Sequence, residues 1–347
     1  MRKKLVLALV VVGVLGLAGA GAVAWIAFGP NTPPSTGDRS VKIPPGSSFD
    51  AVVDSLDASG VLQWSATFRL FGRTTGWEDQ VKAGHYLFEP GASNYDMLSK
   101  LRRGLQEPVH LVVPPGTSLD VLAAVAGRDM YFSAAQFDSA LSDPQLAASL
   151  DTDTSGLFGF MMPETYYFYW LTSAERAVGS IKEQFDAFFD RELRSRADSL
   201  SLSMRDVVTL ASIIEWETAN VDEKPMVAGV YHNRLRIGMK LDADPTVQFI
   251  VMEREGQKRR LLYEDYGFQH PFNTYIYAGL PPAPITNPSP SSMRAAVNPA
   301  DHDYMYFVAK GDGTHQFSRT LAEHNRAARQ YHDLMRERRE ALNSSSE

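Results

Sequence analysis

A chain of 347 residues exceeds what one ordinary hydrophobic core organises, so two or three domains are expected. Its 44% hydrophobic and 22% charged content excludes a disordered chain, and a net charge of -7 argues against nucleic acid as a partner. It has no cysteine, which excludes disulfides, thiolate metal sites and a cysteine nucleophile in one step.

Arg2, Lys3 and Lys4 open the chain, and an uncharged apolar run follows from Leu5 to Phe28. At ~1.5 Å per residue this run spans the ~30 Å of a bilayer's hydrocarbon. It predicts a transmembrane helix over residues 5–28, a cytoplasmic tail at residues 1–4, and Trp25 and Phe28 at the far interface. A cleaved signal peptide competes, because Ala18-Gly19-Ala20 has the small residues of a cleavage site. Signal h-regions run only ~7–15 residues, which favours an uncleaved anchor. In both cases everything after Phe28 lies outside the cytoplasm. Residues 29–40 have a linker's composition and are expected to hold the first domain off the membrane.

A pattern then recurs three times: Ile43 to Asp50 before a helical run, Phe88 to Ser93 before another, and Val113 to Asp120 before a third. Each reads as strand, Pro-Gly turn, serine N-cap and helix. The first two would close a small β-α-α-β module over residues 41–106. Such a module resembles the LysM-like glycan-binding fold of cell-wall proteins, and a structural spacer with capped helices is the alternative. Residues 107–200 read as a mostly helical connecting part of the catalytic region. Within it the aromatic run from Gly156 to Phe168 suits either a sugar-stacking surface or a core segment, the core being the commoner case.

Residues 201–342 form the expected catalytic core. Met204 to Arg236 should be two helices broken near Asp222-Glu223. Asp242 to Thr246 is a turn, Val247 to Met252 a strand or short helix, Phe272 to Ala278 an extended segment, and residues 279–290 a polyproline-like loop. Tyr304–Ala309 and His315–Ser318 should pair across Gly311-Asp312-Gly313 as a hairpin. Thr320 to Leu342 is an amphipathic helix, and residues 343–347 a disordered tail. The fold class is α+β.

Chemistry concentrates at Glu215 and Glu217, which close an apolar helical run. Carboxylates in such a place are costly unless paired or used. Two residues apart on a helix, they do not face each other as a glycosidase pair would. At ~100° per residue they flank the buried face of Val207, Leu210, Ala211 and Ile214 at nearly equal offsets, so periodicity does not choose between them. The histidines show no metal-ligand spacing, and neither a nucleophile elbow nor a P-loop is present.

The runs ASIIEWETANVDEKPMVAGVYHNRLRIGMKLDADPTVQ, FNTYIYAGLPPAPITNPS and YFVAKGDGTHQFSRTLAEHN resemble the YceG-like endolytic murein transglycosylases, and the likeness extends from the anchor to the last helix. That resemblance implies a catalytic region of YceG-like α+β fold. It implies cleavage of the MurNAc–GlcNAc bond of peptidoglycan without water, the C6 hydroxyl of the same MurNAc closing a 1,6-anhydro ring. The catalytic acid falls on Glu217, the second acid of the pair. Substrate contacts are expected from Glu164, Asn233, Arg234, Asp244, Thr246, Asn273 and Tyr275, with amide and hydroxyl dipoles of Asn233, Thr246, Asn273 and Tyr275 supporting the charged sugar ring. Arg234 and Asp244 could equally form a structural ion pair. Glu223 reads as a helix N-terminal charge, and His315, Glu323 and Asn325 fit the family pattern or serve as scaffold. The sequence departs from that pattern at Met162, Trp216, Phe272, Ala283 and Ser289.

No cofactor is implied. The expected partners are peptidoglycan glycan strands and the cell membrane through residues 5–28, with peptidoglycan synthases left open. The expected place is the inner membrane, single-pass, with the catalytic region periplasmic. Two other readings compete: a non-catalytic glycan-binding or divisome scaffold, and an inverting muramidase using Glu217 with Asp244 as base.

Overall fold

The computed structural model describes residues 2–34 and 39–344. The chain divides into two compact units. The first holds the residues up to 110 together with 129–131 and 167–172, and the second holds the rest.

The amino-terminal unit begins with helix α1 (Arg2–Phe28), which is long and apolar enough to cross a membrane. Strand β1 (Ser40–Ile43) points Val41 and Ile43 inward and Lys42 outward, the alternation of a half-buried strand. Helix α2 (Phe49–Ala58) starts at Ser48, whose side chain accepts the Ala51 amide hydrogen. Helix α3 (Ser65–Thr75) follows, then β2 (Gly84–Leu87), antiparallel to β1 with Val41 opposite Tyr86. Helix α4 (Asn94–Arg103) starts on a Ser93–Asp96 capping box and stops at Gly104 in the left-handed region. The β-α-α-β order is therefore present over β1, α2, α3 and β2. Its second helix is α3, which carries no Pro-Gly-Ser signal; the expected helix near Tyr95 is α4, after the second strand. Val52, Leu56, Phe68, Tyr86, Met97 and Leu101 fill the core.

The linker expectation is corrected where the chain is described. Pro30 bridges Ser93, the amides of Asn31 and Thr32 both donate to the Ala92 carbonyl, and Asn31 and Thr32 are buried. Residues 29–34 are thus packed onto the module, because their polar groups find partners there instead of water. Residues 35–38 of that linker, and 345–347 of the expected tail, lie outside the described residues.

The second unit takes up most of what was read as a separate connecting part. The elements lying wholly or partly in it are β3 (Val109–Val112), α5 (Leu119–Asp129), α6 (Ala134–Leu141), α7 (Pro144–Ser149), α8 (Thr154–Leu157), β4 (Thr165–Phe168), α9 (Ala174–Glu192) and α10 (Arg194–Ser199). Then come α11 (Met204–Glu217), α12 (Lys224–Arg236), α13 (Asp244–Glu255), α14 (Pro290–Val297), the antiparallel hairpin β5 (Tyr306–Ala309) with β6 (His315–Ser318), and α15 (Leu321–Ser344). The hairpin lies where the sequence places it. Residues 343–344 continue α15 instead of starting a tail.

The core is built around α11. From Val207 to Ile214 every residue of that helix is buried, against Phe160, Phe185, Phe189, Tyr231, Ile285 and Met293 among others. The aromatic run is core in part, since Phe160, Met162 and Tyr166 are buried. One further expectation is corrected: Phe272 to Ala278 is a series of turns, with Asn273 and Thr274 buried. The proline-rich loop is packed inward, with residues 283–288 buried. The Asn287 side chain pins it by donating to the carbonyls of Pro114 and Met161, and a Cβ on Gly159 would come within 2.5 Å of Pro284.

Candidate active site

Helix α11 is fixed at its start by a Ser203–Asp206 capping box and ends on Glu217, after which Thr218 turns extended. The two acids at this end meet different surroundings. Glu215 has one oxygen, Oε2, accepting from the Ser289 amide (3.0 Å), Ser289 Oγ (2.5 Å), Ser292 Oγ (2.6 Å) and Lys224 Nζ (3.1 Å). Burial works against its charge, but the Ser289 and Ser292 bonds and the Lys224 cation outweigh it and lower its pKa. Ser289, a departure from the family pattern, thus carries three functions: it caps α14, donates its amide and donates its hydroxyl.

Glu217 has the opposite balance. Burial dominates and pushes its carboxyl up to about 7; the Tyr231 hydrogen bond and the Arg234 charge oppose this, and the Asp244 charge adds to it. The negative end of the α11 dipole disfavours the anion further. Tyr231 on α12 donates its hydroxyl hydrogen to Glu217 Oε1.

Glu217 and Asp244 stand at the junction of two cavities. One, of about 490 Å³, is walled by Tyr231, Arg234, Tyr275, the β5 strand, His315 and His324. The other, of about 600 Å³, is walled by Trp216, Gln248, Tyr266 and the basic run Lys258, Arg259 and Arg260, with His332 of α15. Trp216, another departure from the pattern, donates its indole hydrogen to the Gly116 carbonyl at 2.9 Å and carries Lys258 Nζ 3.7 Å from its ring centroid. It is an aromatic surface with a cation beside it.

Of the expected substrate contacts, the structure brings Arg234, Asp244 and Tyr275 to Glu217 and leaves the others elsewhere. Arg234 is itself committed: its guanidinium donates to the carbonyls of Met305 (2.7 Å), Lys240 (3.1 Å) and Leu241 (2.8 Å) and pairs with Asp242 at 3.1 Å. Its ion-pair partner is Asp242, which stands at a positive φ of 47°, and not Asp244. Asp244 instead accepts the Tyr275 hydroxyl at 2.6 Å, and burial together with the Asp244 charge pushes the Tyr266 hydroxyl pKa up to about 12.

Asn233 donates to the carbonyls of His302 and Tyr304. Asn273 donates to those of Tyr266 and Phe268, and Thr246 to that of Ala243. These three have their polar groups engaged in shaping loops and line neither cavity. Glu164 is exposed, its carboxylate accepting the Thr165 amide, and it too lines neither cavity. Glu223 does stand at the start of α12, and it also accepts from the amide and Nδ1 of His315, tying β6 to that helix.

Sequence reasoning missed Tyr231, Tyr266 and His324. Tyr231 stands three residues before Arg234 on one helix face, a spacing that could have paired them. His324 has no comparable signal. Its Nδ1 is buried without a hydrogen-bond partner among the described residues, and burial lowers its pKa.

Residues 41–330 match the model of the YceG-like family. An endolytic murein transglycosylase of Bacillus subtilis is 30% identical over 308 residues, covering 84% of each protein. One of Streptococcus pneumoniae serotype 2 is 27% identical over 320 residues, covering 83% of this chain and 57% of that longer protein. The crystal structure of a YceG-like protein from Listeria monocytogenes is 31% identical with a TM-score of 0.58, covering 84% of this chain and 99% of that one.

Proposed function

The chain belongs to the YceG-like family, and from that membership we propose that it is an endolytic murein transglycosylase, cutting the MurNAc–GlcNAc bond of glycan strands and leaving 1,6-anhydroMurNAc ends. The observation that carries this reading is the carboxyl of Glu217, raised to about 7 at the meeting point of two cavities. An endolytic enzyme needs room for sugars on both sides of its acid. A carboxyl near 7 holds its proton at neutral pH and can also take one back.

The protonated Glu217 gives its proton to the glycosidic oxygen as the C1–O bond breaks. The departing GlcNAc leaves with a free hydroxyl. The MurNAc ring then carries positive charge at C1, and the negative charge of Asp244, held in place by Tyr275, stabilises it. Glu217, now a carboxylate steadied by Tyr231, takes the proton of the C6 hydroxyl while that oxygen bonds to C1. The proton count closes, Glu217 is restored, and no water is consumed. Glu215 takes no part, since its oxygen is occupied by fixed donors.

The orientation follows from the basic start: Arg2, Lys3 and Lys4 stay cytoplasmic and the residues after Phe28 lie outside. The β-α-α-β order of the first unit supports a LysM-like glycan-binding role.

Incubating the full chain in detergent with uncrosslinked glycan strands and weighing the products tests the reading. New ends should be 1,6-anhydroMurNAc, one water lighter than hydrolytic ends. Reducing ends would overturn it and make Asp244 a water-activating base.

A further inference from the structure

The end of α1 is part of the amino-terminal module. Ala27 is 7% exposed within the module's core and Ile26 packs against it. The Asn94 side chain, itself buried, donates to the Ile26 carbonyl at 2.8 Å and to Thr67 of α3. Gly29 bonds back to the Trp25 carbonyl, where a Cβ would come within 2.5 Å of that oxygen. A flexible tether has none of these contacts. The membrane helix and the module share one core.

Around that junction the module exposes what water disfavours and a bilayer interface accepts. Trp64, Leu70 and Tyr95 are 55%, 50% and 41% exposed. Tyr95 and Trp64 are tied to the end of α1 and the residues just after it. The Tyr95 ring lies 5.4 Å from that of Phe28. The backbone of Trp64 is bracketed by the Asn31 side chain. Leu70 is one turn beyond Thr67 on α3. Trp77 stands 5.6 Å from Tyr95, and the Arg102 guanidinium covers its ring at 4.0 Å. Arg102 pairs with no carboxylate among the described residues. Asp96, the acid of α4, is turned onto Ser93, and Glu78, next to Trp77, lies 3.7 Å from Arg73.

Amphipathic rings with an uncommitted guanidinium, continuous with a membrane-spanning helix, match the headgroup layer of a phospholipid bilayer. We propose that this face of the module is a lipid-binding surface: the rings of Trp64, Trp77 and Tyr95 and the Leu70 side chain lie at the headgroup–acyl boundary, and Arg102 meets lipid phosphate. The proposal rests on α1 spanning the membrane. It adds that the module is seated in the bilayer surface at a fixed height and does not swing above it.

The absence of cysteine makes the test direct. The full chain carrying a single nitroxide-labelled cysteine, at Val14, Ser47, Leu70 or Tyr95, is reconstituted in vesicles of phosphatidylethanolamine and phosphatidylglycerol. Collision with oxygen and with a water-soluble nickel chelate is then measured. The Val14→Cys probe should report hydrocarbon and the Ser47→Cys probe water. Leu70→Cys and Tyr95→Cys should show nickel accessibility severalfold below that of Ser47→Cys, and unchanged unfolding temperatures certify the fold. Probes at 70 and 95 as nickel-accessible as at 47, with Val14→Cys still in hydrocarbon, overturn the surface while leaving the anchor standing. Nickel access at Val14→Cys removes the anchor and the surface together.

Discussion

Tyr231 donates its hydroxyl hydrogen to Glu217 from one turn before Arg234 on α12, so one helix supplies both groups that favour the Glu217 anion. This bond offsets part of the burial that keeps the carboxyl protonated, and it sets the pH at which the acid loses its proton.

Tyr231→Phe removes that support. The Glu217 pKa should rise above its parental value of about 7. The first step needs the protonated acid, so kcat/KM falls as pH rises through that pKa. In Tyr231→Phe this falling limb should move to higher pH, read from a pH–rate profile. A limb that stays in place or moves down would separate Tyr231 from the acid.

Glu217→Gln keeps shape but cannot cycle a proton, and activity should fall by ~10²–10⁴-fold or more, since one group serves both steps. Parental turnover in this variant would remove Glu217 from the chemistry.

The same substitution should stabilise the protein at alkaline pH. The unfolded chain releases the Glu217 proton near 4.5, the folded one near 7. Between these values the folded state binds more protons, so its stability falls as pH rises, by on the order of 1–3 kcal/mol in all. Glu217→Gln escapes this loss. Thermal unfolding should find it more stable than the parent at pH 8 and indistinguishable at pH 4.

Glu215→Ala strands Lys224, whose side chain is 4% exposed, and leaves the Ser289 amide without its acceptor. Breaking such a pair costs about 3–5 kcal/mol. Denaturant titration should show that loss, while Glu215→Gln retains most of the turnover measured below its melting point. A Glu215→Gln variant that folds like the parent yet has no turnover would give this acid a part in the reaction.

Asn273→Ala tests the scaffold reading of a residue the family resemblance places at the substrate. It leaves the carbonyls of Tyr266 and Phe268 without a donor, at a cost of about 1–3 kcal/mol. The melting temperature should drop with KM unchanged.

The elements were legible where local signals are strong. Ser48 and Ser93 cap helices as their sequences announce, and the β5–β6 hairpin lies around Gly311 to Gly313. The fates of Glu215 and Glu217 were not legible, because they are decided by Ser289 and Tyr231, 74 and 14 residues away. The partners of Asn233, Thr246 and Asn273 were hidden for the same reason. A polar side chain in a motif looks free on paper, and only the fold shows that loop carbonyls occupy it. Proline density marks a polyproline-like loop at residues 279–290, and only the fold shows that its residues 283–288 are buried.

Arg234 gathers carbonyls from residues 240, 241 and 305, the last of them 71 positions away. Chain closure over such distances is slow relative to helix formation. Helix α11 with its acid should therefore exist before the wall that gives the acid its character. Pulse-labelling hydrogen exchange during refolding should find the amides of α11 protected ahead of those of β5. Until the β5 segment arrives, Glu217 lacks one wall of its cavity, and a growing or truncated chain carries the acid without the site proposed for it.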